Sequence, residues 1–297
     1  MTPFADSIED FIESRKVEEN TKSKERRAIN EFAANGIAIQ NVDRKATRAY
    51  VRHLSTEKGL KNKTIRDRLS FLGMYWNWLV YQDLAPEDVP NPFARVELPK
   101  ENCKDAAKDT RLPFTVSDIT KLHTSIVASD QKTLQVAFML AIHSGCRIEE
   151  IASLENASIS ENSIVIYSAK SPSGNRTIPL HPTSEPLVSA LKARGGQYLL
   201  PDLTVDRFGG RSANIGRAFS KIKSGLKYDG RYVFHSLRKT VATQLEQAGV
   251  PEGIAADILG HQKKTMSYGL YSGGSSFEQK RDAIMKLDYA LGKWREG

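Results

Sequence analysis

The sequence contains only two cysteines, Cys103 and Cys146, too few for a disulfide framework or a four-thiolate zinc site. No apolar run approaches the roughly 18–20 residues of a membrane span, and the longest candidate, residues 136–142, falls well short. The opening Met1-Thr2-Pro3-Phe4-Ala5-Asp6 has neither the basic nor the apolar stretch of a secretory signal. Gly-x4-Gly-Lys-[Ser/Thr], His-Glu-x-x-His and Gly-x-Ser-x-Gly are all missing. Their absence removes the best-marked routes to nucleotide hydrolysis, zinc proteolysis and serine esterase chemistry. His143 and Glu149 stand as isolated ligand candidates, and no carboxylates fall in an Asp-x-Asp pattern. The expectation is a soluble, cytoplasmic chain with no metal, no cofactor and no membrane contact.

What is present is length enough for two cores and an excess of positive charge. A chain of 297 residues exceeds the roughly 100–200 residues of one domain. Basic residues number 43 against 35 acidic ones, a net +8 that favours a polyanion, most simply nucleic acid. The excess concentrates in residues 207–239, where nine lysines and arginines face a single acid, Asp229. That run is either a solvated face or a phosphate-facing surface. On the second reading Arg211, Arg217, Lys221 and Lys239 contact nucleic acid, joined by Lys61, Lys63 and Arg66 in the first domain.

Periodicity divides the chain. Residues 4–19, 21–35, 45–57 and 62–82 carry apolar positions at helical spacing; in the last, Ile65, Leu69, Leu72, Trp76 and Leu79 form one stripe, with Thr64 or Asn62 as cap. Trp76 and Trp78 read as core aromatics. A proline cluster (Pro86, Pro90, Pro92, Pro99) and a mixed-charge stretch mark a linker, giving a helical domain 1–98, a linker 99–112 and a second domain 113–297. Thr115 or Ser117 caps the first helix of that domain, and residues 133–144 form an apolar, buried helix. Residues 163–169 and 176–180 are short strands around a turn-prone Ser171-Pro172-Ser173-Gly174-Asn175. Helices follow over 186–194, 212–224, 236–248 and 252–259, with a tail helix over 277–295 bearing Ile284, Leu287, Leu291 and Trp294. The fold class is mainly α with a small antiparallel β-sheet, an α+β architecture.

Phosphate-seeking side chains gather at element boundaries. Gly145-Cys146-Arg147-Ile148-Glu149-Glu150 follows the buried helix, and Glu150 is spaced to pair with Arg147. In His235-Ser236-Leu237-Arg238 a three-residue spacing puts His235 and Arg238 on one side of a helix start, where free N–H groups also suit an anion. Leu259-Gly260-His261 comes next, and Tyr271 lies ten residues beyond it.

Taken together these motifs resemble the tyrosine recombinases of the phage-integrase family. Gly145-Cys146-Arg147 through Leu154 matches the family's first arginine box, and Lys170, ahead of Arg176-Thr177-Ile178-Pro179-Leu180, matches its hairpin lysine. His235-x-x-Arg238, Leu259-Gly260-His261 and Tyr271 complete the set in order. Lys63-Thr64-Ile65 through Trp78 and Asn91-Pro92-Phe93 resemble the family's core-binding domain, so the likeness covers nearly the whole chain. It begins at about that domain, leaving little room for the arm-binding domain of lambda-type integrases. Tyr268 is a second nucleophile candidate, and Ser272-Gly273-Gly274 replaces the family's frequent histidine after the nucleophile.

The resemblance implies a metal-free and ATP-free strand exchange on double-stranded DNA attachment sites. Arg147, Arg238 and His261 hold the phosphate, Tyr271 attacks with His235 as base, and Lys170 protonates the leaving 5′ oxygen. A 3′-phosphotyrosyl intermediate results. The resemblance further implies a tetramer on DNA, an accessory DNA-bending or directionality protein, and a tail that docks in trans on a neighbouring protomer or in cis on its own domain. Integration or excision of a phage or other mobile element is the favoured role over Xer-type dimer resolution. A topoisomerase-like enzyme would share the phosphotyrosine chemistry without strand exchange. A helix-turn-helix regulator built on residues 236–259 would leave Arg147, Lys170 and Tyr271 without a role.

Overall fold

A computed structural model describes residues 2–34, 36–100, 110–167, 175–261 and 273–291. The chain forms two compact units, Met1–Ala107 and Lys108–Gly297.

The first unit is helical: α1 (Ile8–Ser14), α2 (Glu19–Ala33), α3 (Arg44–Arg52) and α4 (Asn62–Tyr81), with a π-helical turn His53–Glu57 after α3. The α4 stripe of Ile65, Leu69, Leu72, Trp76 and Leu79 is buried along its length, as amphipathic spacing requires. Trp78 is partly buried and stacks on Tyr75, ring centroids 6.1 Å apart. Two local expectations are corrected. Helix α1 starts at Ile8 rather than residue 4, because the Phe4 N–H donates to the Ile37 carbonyl (2.9 Å) and its ring packs between Phe32 and Tyr75. Neither Thr64 nor Asn62 caps α4; the cap position is Lys61, and the Asn62 amide donates instead to the Pro99 carbonyl (2.7 Å). With Asn91 donating to Gly73 O (2.9 Å), that bond lays residues 91–99 back along α4.

In the second unit, α5 (Val116–Ala128) opens on a capping box between Thr115 and Asp118. Helix α6 (Lys132–Ser144) is buried from Leu134 to Ser144 and packs against α5, α7 (Ile148–Ala152), α9 (Ala213–Gly225) and α10 (Phe234–Gln247). Strands β1 (Ser163–Ile166) and β2 (Arg176–Pro179) pair antiparallel, with Ser163 opposite Pro179 and Ile166 opposite Arg176. Helix α8 (Glu185–Ala193) follows β2; α11 (Glu252–Leu259) follows α10, and α12 (Phe277–Ile284) packs on both β2 and α11.

The tail differs from a single helix over 277–295. Helix α12 stops at Ile284, and Leu287 and Tyr289 turn into the same core, where the Tyr289 hydroxyl donates to Ile142 O (3.0 Å). A continued helix would have rotated Tyr289 roughly 140° away from the Ile284 face, so burying both side chains requires the break. Through Leu291 the tail covers its own unit; Trp294 lies outside the described residues.

Candidate active site

The buried helix α6 ends on Gly145 in the left-handed region, φ +65°. A side chain has no room there: a Cβ would fall 2.5 Å from Leu259 Cδ2 and 3.2 Å from Val241 Cγ1. The close approach brings the end of α6 against α10 and α11, and the turn that follows holds the buried Cys146 and then residues that reach the surface.

Arg147 is among them, its side chain 42 % exposed. Its backbone N–H and its Nη1 both donate to the Glu150 carboxylate, each at 2.7 Å, which anchors the guanidinium by one nitrogen. Glu150 also takes a fork from Arg176: Nη2 at 2.8 Å and Nη1 at 3.2 Å. Burial alone would raise the Glu150 carboxyl, but the Arg176 hydrogen bonds and charge outweigh it and hold its pKa down at about 2.

Arg238 rises from the first turns of α10 and is buried, 3 % exposed. Its Nη1 donates to Gly145 O (2.8 Å) and its Nη2 to Leu259 O, so two main-chain carbonyls from different elements fix it. Burial, then the charges of Arg147 and Arg176, push its pKa down to about 10, which leaves it cationic at neutral pH. His235 sits on the same turn with an exposed edge. Packing of its inner side, then Arg238 and Arg147, lowers its pKa. His261 follows Gly260, which ends α11 at φ +66°, and its N–H donates to Ala256 O (3.0 Å). Partial burial, then Arg238, Arg147, Arg176 and His235, lower its pKa as well. The four motif residues therefore share one electrostatic neighbourhood, where both imidazoles are neutral at pH 7 and the arginines are charged.

Lys170, Tyr268 and Tyr271 lie outside the described residues. What flanks them is defined. Residues 167–175 connect the paired ends Ile166 and Arg176. The chain leaves α11 at His261 and returns at Ser275, whose N–H and hydroxyl both donate to Asp257 of that helix at 2.7 Å. Lys280 on α12 then donates to Thr177 O of β2 (2.9 Å).

Of the expected nucleic-acid contacts, Lys61, Lys63, Arg66, Arg217 and Lys221 are exposed, and Lys239 is half-buried with its ammonium on Arg111 O (2.7 Å). Arg211 is corrected to a structural residue. It is buried, donates to Ala152 O (3.1 Å) and Leu200 O (2.9 Å), and lies 3.9 Å over the Tyr198 ring. Lys223 is buried on Asp229 O likewise. Part of the basic run is thus scaffolding. Glu149 accepts from the Arg211 and Ser212 N–H groups at the start of α9 (2.7 and 3.1 Å), and His143 lies buried 2.8 Å from the Ser184 hydroxyl. No cluster of three metal-ligating side chains exists among the described residues. No helix among them is long and apolar enough to cross a membrane.

Two features carry no assigned role in the sequence reading, Arg176 being quoted there only as part of the hairpin match. Arg176, which ties Glu150 to β2, had only its neighbourhood of Lys170 and an inward register position to signal it. In the first unit Arg44, Arg48 and Arg95 line a cleft of about 390 Å³ with Pro92, Val96 and Glu97. Nothing in spacing links residues so far apart.

Comparison with known proteins is consistent with this geometry. The profile described as the phage integrase family matches residues 114–273. Tyrosine recombinase XerC of Bacillus pumilus is 27% identical over 274 residues, covering 84% of this chain and 86% of the relative. A tyrosine recombinase of Thermosipho africanus is 25% identical over 287 residues, covering 92% and 95%. Among solved structures, a lambda integrase (75–356) dimer bound to a COC′ core site superposes with a TM-score of 0.69 at 20% identity, covering 89% of this chain and 95% of that one. A lambda integrase tetramer bound to a Holliday junction gives 0.69 at 19% identity, covering 92% and 79%.

Proposed function

The chain belongs to the phage integrase family and is a tyrosine recombinase, and on that premise we propose that it breaks and rejoins double-stranded DNA through a 3′-phosphotyrosyl intermediate formed on Tyr271, with neither metal nor ATP. The observation that carries this reading is the pair Arg147 and Arg238, one anchored on a carboxylate and the other on two carbonyls, with His235 and His261 in the same field.

Phosphodiester cleavage without a metal needs fixed positive charge at the non-bridging oxygens. Guanidinium forks supply it with a geometry that an ammonium lacks. His261, neutral, donates one N–H to the same oxygens. His235, neutral, accepts the Tyr271 proton, as a phenol of pKa about 10 requires at pH 7. The tyrosyl oxygen bonds to phosphorus as the bond to the 5′ oxygen breaks, and Lys170 delivers the proton to that oxygen. One ester replaces another, so religation needs no energy source. Tyr271 lies four residues before Ser275, a tether of at most about 14 Å from a residue bound to α11.

Exposed Lys61, Lys63, Arg66, Arg217 and Lys221 hold the duplex backbone, and the cleft of Arg44, Arg48 and Arg95 adds phosphate contacts in the first unit. Pairing of two cleaved sites calls for a tetramer on DNA, as in the lambda Holliday-junction structure, with an accessory DNA-bending or directionality protein selecting the outcome. The chain then acts at the nucleoid. Integration or excision of a mobile element is the role favoured by the Tyr268-Gly269-Leu270-Tyr271-Ser272-Gly273-Gly274 ending. Dimer resolution is the second reading, favoured by the XerC relatives.

The test is a denaturing gel after incubation with EDTA and nicked duplexes carrying inverted half-sites from the DNA flanking the coding region. A covalent adduct lost in Tyr271→Phe supports the assignment. Loss only in Tyr268→Phe moves the nucleophile; bound DNA with no adduct in any variant overturns the reading.

A further inference from the structure

We propose that Arg176 is a positioning residue that keeps Arg147 free to grip phosphate, by occupying the Glu150 carboxylate that would otherwise take both arms of the Arg147 guanidinium. This rests on the recombinase reading for its catalytic consequence, though not for its geometry.

Arg176 is the first paired residue of β2, and its side chain is 4 % exposed. Three of its nitrogens are committed. Nη1 and Nη2 fork onto Glu150, Nε donates to Ile258 O (2.8 Å), and Nη2 also lies 3.8 Å from the Cys146 sulfur. The guanidinium thus joins three elements that otherwise have no covalent reason to move together: the hairpin strand, the Arg147 turn and the last turn of α11. Gly260 shows how close the fit is, for a Cβ there would lie 2.9 Å from Arg176 Nη1 and 3.1 Å from its Cδ and Cζ. The glycine before His261 is the space that Arg176 fills.

The consequence falls on Arg147. A carboxylate offers two oxygens, and an unopposed arginine takes both in a fork. Here Arg176 holds Oε2 at 2.8 Å and shares Oε1, leaving Arg147 a single side-chain bond through Nη1 at 2.7 Å. The other four of the five guanidinium N–H donors of Arg147 have no partner among the described residues. Arg147 is therefore anchored and still open toward an oxyanion. If Arg176 were apolar, Glu150 would draw Arg147 back into a closed pair. If it were lysine, one ammonium could meet Glu150 but could not also span to Ile258 O, so the α11 turn and His261 would loosen.

The experiment compares Arg176→Met, Arg176→Lys, Glu150→Gln and the Arg176→Met/Glu150→Gln double variant, after thermal melts establish which are folded. Single-turnover adduct formation on the nicked duplex should fall by about 100-fold in Arg176→Met, with DNA affinity within about threefold of wild type. In the Glu150→Gln background the same change should lower the rate by no more than about threefold, because the group Arg176 acts through is already neutral. Rate losses that multiply in the double variant would overturn the proposal and leave Arg176 as scaffold. A second readout does not need DNA cleavage. Inorganic phosphate titrated into the protein should shift the Arg147 Nε–H resonance in wild type, with at least tenfold weaker binding in Arg176→Met and partial recovery in Arg176→Lys. An unchanged phosphate affinity in Arg176→Met sinks the proposal, whatever the gel shows. A wild type that forms no adduct but loses phosphate binding on Arg176→Met retires the recombinase reading and leaves this one standing. Should Arg176→Met not fold, Arg176→Lys carries both readouts.

Discussion

His143 and His181 lie face to face, ring centroids 4.2 Å apart and planes 7° from parallel. Burial, then the neighbouring His181, hold the His143 pKa at about 3, against the ordinary 6.5 in an unfolded chain. Above pH 6.5 both states leave it neutral and it adds no pH dependence. Below that value the unfolded chain binds a proton that the fold refuses. Stability should therefore drop by about 1.4 kcal/mol per pH unit from pH 6.5 toward pH 3. Urea melts at pH 7 and pH 5.5 should show this loss in wild type and a smaller one in His143→Gln; equal losses would contradict the assignment.

Two glycines with left-handed backbones separate conformational strain from lack of room. Gly249, at φ +70°, has nothing within 4 Å of a built Cβ, so Gly249→Ala should be destabilising by about 1–2 kcal/mol, the left-handed penalty alone. Gly145→Ala adds a collision with Leu259, and its loss should exceed that of Gly249→Ala by about 1–3 kcal/mol. Thermal melts of the two variants rank them.

Arg211 and Lys221 stand close in sequence and should fail differently. Arg211→Ala strands the Ala152 and Leu200 carbonyls, so it should lose about 2–3 kcal/mol of stability. Lys221→Ala should leave the melt unchanged and lower the slope of log K against log salt for duplex binding by about one. A stable Arg211→Ala with a reduced salt slope would restore it to the DNA surface.

The arginine cleft gives a parallel test in the first unit. Replacing Arg44, Arg48 and Arg95 together with glutamine should weaken duplex binding and lower the salt slope by about two to three, without altering the melt. Binding that keeps its full salt dependence would exclude phosphate from the cleft.

The sequence was most readable where chemistry demands an unusual residue at a fixed place. Arg147, His235, Arg238 and His261 were visible because each sits in a short motif at a fixed spacing, and the four side chains share one electrostatic neighbourhood in the structure. The β-branched run at 163–166 and the α4 stripe were equally local. Arg211 could not be read, because what buries it are carbonyls at residues 152 and 200. The tail helix was overextended for a related reason. Its apolar spacing continues to Trp294, but the hydroxyl of Tyr289 has its acceptor on α6, and that distant acceptor breaks the helix.

The two acceptors that hold Arg238 are both carbonyl oxygens of the main chain, Gly145 O and Leu259 O. No codon specifies a carbonyl, so no single substitution can delete one. The aim of this guanidinium is written in the path of the backbone, in the left turn after α6 and the last residue of α11. Side chains around it can be exchanged freely as long as that path is kept.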